Sequence, residues 1–175
     1  MSNRSIALDA AAGALANVGI VEDGGDNRGK WIEMYQAAVG IPAGSPWCAA
    51  FVRFRLEKSA EKLDREIPEG FPDSGWVPAY ESWAKRNGFW VPARTAELDD
   101  VRVGDLAVFW FEAKQRCAHI GIVVGCPSTG IWTTVEGNTG PDTATSVNRD
   151  GDGVYQKRRT RAMLGSRGGF VRINF

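Results

Sequence analysis

The sequence is short of almost everything that would point to a covalently stapled scaffold, a membrane span or a charged docking surface. Three cysteines among 175 residues (Cys48, Cys117, Cys126) leave at least one thiol unpaired and exclude a disulfide framework. Cys117 and Cys126 bracket one expected strand, which would hold them roughly 30 Å apart at about 3.3 Å per residue, whereas a bridge needs Cα atoms within about 7 Å. No apolar run approaches the ~20 residues of a bilayer crossing, so no stable membrane association is expected. The formal net charge is zero, which removes the long-range field that a nucleic-acid partner would call for. The single basic run, Lys157, Arg158, Arg159 and Arg161, reads as a solvated strand face. Arg4 ahead of Ile6 and its alanines faintly resembles an export signal, but Asp9 interrupts the apolar stretch and a first helix fits better. There is one histidine, and no repeat or low-complexity tract.

What remains is an ordinary globular composition, 43% hydrophobic and 24% charged, sized for a single domain over residues 1–175. The first half reads as helical. Apolar spacing predicts a helix from Ser5 to Val18 ended by Gly19, and another from Lys30 to Val39 closed by Gly40 and Pro42. Ser45 suits an N-cap and Pro46 the first helical position, so Trp47 to Lys58 is expected as a helix with Cys48 in its first turn. Pro68, Pro72 and Pro78 mark a loop, and Tyr80 to Arg86 a short helix stopped by Asn87-Gly88. Beyond the turn at Val103-Gly104-Asp105 the pattern becomes β-rich: Leu106 to Phe111, Ala118 to Val124, Ile131 to Val135, Val154 to Thr160 and Phe170 to Ile173. Helices first and strands second indicate an α+β fold with an antiparallel sheet.

A free cysteine is usually just a buried apolar residue. Cys48 differs by position, because a helix start offers unpaired N–H groups and partial positive charge that favour a thiolate. His119 falls on a strand face with Gly121 and Val123, opposite Ile120, Ile122 and Val124. If the strands on either side of Gly125 to Gly130 form a hairpin symmetric about Pro127 and Ser128, His119 faces Glu136 with Cβ atoms about 5 Å apart. A carboxylate there accepts the imidazole N–H and leaves the other ring nitrogen to take a thiol proton. Asn138 follows Glu136 on the same face. A metal site built from Cys117, His119 and a further cysteine fits no standard ligand spacing, and neither a metal nor a cofactor is expected. Asp150-Gly151-Asp152-Gly153 lacks the later ligands of a calcium loop and reads as a hairpin turn. The acidic loop around Glu22, Asp23 and Asp26 is likewise no convincing calcium match.

Taken together, Pro46-Trp47-Cys48-Ala49-Ala50-Phe51-Val52, Gly104-Asp105, His119-Ile-Gly-Ile-Val and Glu136-Gly-Asn138-Thr closely resemble the CHAP domain, the cysteine, histidine-dependent amidohydrolase/peptidase family of the NlpC/P60 and papain-like group. The resemblance implies a papain-like arrangement of N-terminal helices packed on a C-terminal antiparallel sheet. It also implies Cys48 as nucleophile, His119 as general base, Glu136 as third member and Asn138 as accessory polar group. The implied substrate is peptidoglycan or its peptides, cut at the muramoyl-L-alanine amide or within the stem or cross-bridge, through a cysteine thioester. For the oxyanion, the Cys48 backbone N–H is the first candidate donor, with Asn27 or Gln36 as second donors. A monomer is expected, made in the cytoplasm without a classical signal and acting on the wall after release or specialised export, as a phage lysin, an autolysin or an antibacterial effector. Two other readings stand beside this one. Seven tryptophans, Trp76, Trp83 and Trp90 among them, would suit a non-catalytic wall-binding module, and the same cysteine chemistry would serve a non-wall amide.

Overall fold

Small side chains decide how the helices meet. In α1 (Ser5–Ala16) the buried Ala7, Ala10, Ala11 and Ala14 form a stripe at helical spacing, which lets α3 (Cys48–Lys62) approach closely. The computed structural model describes residues 4–126, 130–141, 147 and 150–175. Helices α2 (Lys30–Ala37) and α4 (Val77–Arg86) flank α3 in the chain. Residues Cys48 to Val52 of α3 are all buried, so the start of this helix runs through the interior rather than along the surface.

Among the described residues six strands follow: β1 (Trp90–Pro92), β2 (Leu106–Phe111), β3 (Arg116–Gly125), β4 (Ile131–Thr139), β5 (Gly153–Thr160) and β6 (Gly169–Val171). They form one antiparallel sheet in the order β1-β6-β2-β3-β4-β5. The fold is therefore α+β, with helices mostly N-terminal and strands C-terminal. Alternation along the strands builds two apolar layers. Leu106, Val108, Ile120, Ile122, Val135 and Val171 join the helices in the main core. Ala107, Phe109, Val123, Trp132 and Phe170 form a second cluster on the opposite face. The three-residue β1 has no expected counterpart in the sequence: it pairs only with β6, and Pro92 is tolerated there because the strand lies at the sheet edge.

Three expectations need correcting. Helix α3 begins at Cys48, with Trp47 in the N-cap position and no side-chain cap, so Ser45 and Pro46 precede the helix. The β3–β4 register is Ile122 opposite Val135 and Val123 opposite Thr134, with a bulge before Gly125 pairs with Thr133. That lies two residues from the symmetric pairing, whose expected centre, Pro127 and Ser128, lies outside the described residues. An even shift keeps every side chain on its expected face. The basic run is also misread as a solvated face. Lys157 and Arg159 are buried, whereas Arg158 and Arg161 are exposed. The Asp150–Gly153 turn belongs to the β4–β5 connection, of which 142–146 and 148–149 lie outside the described residues.

The Gly104-Asp105 turn locks the frame. Asp105 is fully buried and accepts from Arg4 Nη2 at 2.5 Å, the Arg102 N–H at 2.9 Å and the Ile173 N–H at 3.1 Å. One carboxylate thus ties the approach to α1, the start of β2 and the C-terminal segment. Burial pushes its pKa up, and the two N–H groups and Arg4 pull against that shift. Asp105→Ala leaves Arg4 without its counter-charge and should cost about 3 kcal/mol, read as a lowered urea midpoint at unchanged slope.

Candidate active site

Cys48 is placed by the loop before it. Gln36, buried on α2, donates both amide hydrogens to backbone carbonyls, Asn27 O at 3.0 Å and Ser45 O at 2.8 Å. The next anchor is Trp47, whose indole N–H donates to Glu22 Oε1 at 2.9 Å while Glu22 Oε2 accepts the Asn27 N–H at 2.8 Å. Gln36 therefore has no donor left for an oxyanion, and each Glu22 oxygen accepts one structural hydrogen bond. Trp47 and Phe51 in turn press on Gly137, where an added Cβ would come within 2.6 Å and 2.9 Å of them. A glycine is required there for β4 to reach the start of α3.

His119 sits at a bulge. Phe109 pairs with His119 but Trp110 pairs with Cys117, so β3 spends two residues, Ala118 and His119, between the core-facing Cys117 and Ile120. The imidazole is fully buried, with its centroid 5.4 Å from that of Phe109. Its Nε2 lies 2.9 Å from Glu136 Oε2. The pair meets diagonally rather than face to face, and Gly121 makes that contact possible: a Cβ on it would stand 2.4 Å from Glu136 Cγ. The carboxylate is an acceptor, which assigns the Nε2 proton and leaves Nδ1 as the basic nitrogen. Among the described residues Nδ1 has no hydrogen-bond partner. Cys48 is near enough to favour the charged form of the ring. Burial opposes the imidazolium, but Cys48 and Glu136 outweigh it and raise the His119 pKa to about 9.

Glu136 is the most heavily bonded side chain of the group. Besides His119 it accepts from Thr134 Oγ1 at 2.6 Å, Arg159 Nε at 2.8 Å and Arg159 Nη2 at 2.7 Å. Burial opposes its ionisation, yet Arg159 and His119 hold its pKa well below the usual carboxylate range. Arg159 grips both oxygens as a fork, with its guanidinium 5.3 Å from the Phe109 centroid. Thr134 and Arg159 are the residues that sequence reasoning missed. The signal for Arg159 was the i, i+2 spacing of Lys157 and Arg159 in a strand adjoining the one that carries a buried glutamate. Asn138 is buried at the same end of β4, but its φ of 58° and the β4–β5 register shift between Glu136 and Thr139 break the alternation that would have set it on the Glu136 face.

The other candidates go elsewhere. Cys117 lies in the main core, where burial and then Glu81 push its thiol pKa up. Burial likewise pushes Cys126 up to about 11. All three cysteines are free. Among the described residues no three His, Cys, Asp or Glu side chains are grouped to hold a metal ion. Among them, too, no helix is long and apolar enough to cross a membrane. Of the tryptophans singled out, Trp83 is buried, Trp90 partly buried and Trp76 half-exposed. Cys48 opens onto a groove of about 390 Å³ walled by Ile41, Pro46, Asp73, Trp76, Arg116 and Ala118, among others.

The CHAP domain profile matches residues 40–138, more than half of the chain and the stretch that holds Cys48, His119, Glu136 and Asn138. The chain belongs to the CHAP domain family. Searches among curated proteins and among solved structures found no match. CHAP domains are typically amidases or peptidases of the peptidoglycan-hydrolase kind, and this coarse class applies to the chain.

Removing Arg159 tests the electrostatics directly. Because the folded-state pKa of Glu136 is depressed, the carboxylate adds stability above the ordinary carboxylate range and loses it as pH falls toward the folded value. Arg159→Met should cost about 3–5 kcal/mol at pH 7, and the gap between its urea curve and the wild-type curve should narrow below about pH 4. Arg159→Lys should recover part of the loss, short of the full bidentate grip.

Proposed function

We propose that this CHAP domain cleaves an amide bond of peptidoglycan with Cys48 as nucleophile, His119 as base and acid, and Glu136 as the group that orients the imidazole. One observation carries this reading: the Nε2 edge of His119 is held by an ionised carboxylate while Nδ1 is left without a partner beside a cysteine at a helix start. The Cys48 proton passes to Nδ1, and the sulfur attacks the amide carbonyl to give a tetrahedral oxyanion. The Cys48 backbone N–H, in the first turn where helical amides lack partners, donates to that oxygen. The C–N bond breaks as the imidazolium protonates the departing amine, leaving a thioester. Water then gives a proton to His119 and attacks the thioester carbon, and the acid product leaves as the thiol is restored. Action on the wall after release through a membrane lesion or by specialised export belongs to the same proposal.

Mass assignment of the products from purified muropeptides identifies the bond cut. Cys48→Ala should lower turnover by at least about a thousandfold while leaving thermal unfolding close to wild type. Turnover that survives in that variant would remove the nucleophile from this scheme. The leaving amine needs the imidazolium, so kcat/KM should decline as pH rises through about 9. Glu136 is one of the groups that hold this pKa up, so Glu136→Gln should move the alkaline limb to lower pH as well as slow the reaction.

A further inference from the structure

Among the described residues the groove beside Cys48 carries two charges on its walls, and only one of them is matched. Asp73 lies 3.8 Å from Arg53 Nε. Among the described residues no carboxylate lies within ion-pair distance of Arg116. Its guanidinium lies over Trp76, 4.1 Å from the ring centroid, and Nη1 donates to the Cys117 carbonyl at 3.3 Å. One face of the guanidinium is thus covered by an indole that is itself 52% exposed at the groove wall. A guanidinium has five N–H donors in a fixed plane, and the contacts described use one of them. Stacking holds that plane in place before any ligand arrives, so less side-chain freedom is lost on binding. The β3 bulge sets the reach. Arg116 and Ala118 line the groove that Cys48 opens onto, and Arg116 stands three residues before His119. That is roughly 7–10 Å of strand, or two to three residues of an extended peptide.

Building on the amidase reading, we propose that Arg116, fixed by Trp76, binds a carboxylate of the substrate peptide two or three residues from the amide attacked by Cys48. The groove therefore selects acidic peptides over their amidated forms. In a wall stem peptide the carboxylate has two sources, the α-carboxylate of a γ-linked glutamyl residue or the C-terminal carboxylate.

The probes are N-acetyl-L-alanyl-γ-D-glutamyl-L-lysyl-D-alanine and two derivatives, one amidated at the glutamyl carboxylate and one at the C-terminus. Binding is measured by calorimetry to Cys48→Ala protein, alone and combined with Arg116→Gln or Arg116→Lys. One of the two amidations should weaken binding by about tenfold or more, and which one does so identifies the source. Arg116→Gln should abolish that difference, and Arg116→Lys should retain part of it. Equal binding of the three peptides, discrimination that persists in Arg116→Gln, or no binding of any peptide overturns the inference. Hydrolysis by the wild-type protein is read separately. A peptide that binds with the expected discrimination yet is never cut brings down the hydrolase reading and supports this one.

Discussion

The buried ionised carboxylate of Glu136 is the constraint from which the rest of the site follows. An isolated carboxylate has no business in a dry core, where burial alone would keep it protonated. Two cationic or potentially cationic partners and one hydroxyl overcome that penalty here, and each comes from a defined place in the fold. Thr134 is two residues back on the same strand, Arg159 reaches in from β5, and His119 crosses from β3 over the gap left by Gly121. The sheet order β3-β4-β5 is thus the order of the charges: imidazole, carboxylate, guanidinium. Because the carboxylate cannot readily take up a proton, its part in the proposed reaction is to fix a tautomer, and the nitrogen proposed to react is the one turned away from it.

Much of this was legible in the sequence, for identifiable reasons. Cys48 at a helix start rested on the breakers ahead of it, and the residues that stop the chain from being helical before Cys48 are local. The faces of β3 rested on alternation, which tolerates an even register error. The contact between His119 and Glu136 was therefore anticipated even though the pairing behind it was off by two residues. What could not be read depended on other strands. Whether Arg159 faces water or the core is decided by what β5 lies beside, and a run of basic residues has the same composition in either case. The missing cap at α3 has a similar cause: Gln36 and Glu22, distant in sequence, hold the loop that a capping serine would otherwise have organised.

The family profile ends at residue 138, but the group around Glu136 does not. Arg159 lies beyond it, as does the β5 strand that carries it. Residues within a family profile can in this way lean on parts of a chain that the profile does not include. Asp105 shows the same dependence in the frame, since its partners are Arg4 near one end and Ile173 near the other.

The bidentate pair between Arg159 and Glu136 has a consequence for the proton transfer proposed between the Cys48 sulfur and the His119 imidazole. Glutamate and arginine cancel, so the buried group is electroneutral whether the proton rests on Cys48 or on His119. Transfer between them rearranges a dipole without adding a net charge to the interior, and the surrounding protein has little to reorganise. Nor does bulk salt screen a group buried this deeply. The outer surface is correspondingly free: lysines, arginines, aspartates and glutamates on the exposed faces can be exchanged to tune solubility or adhesion, with the interior chemistry insulated from the change.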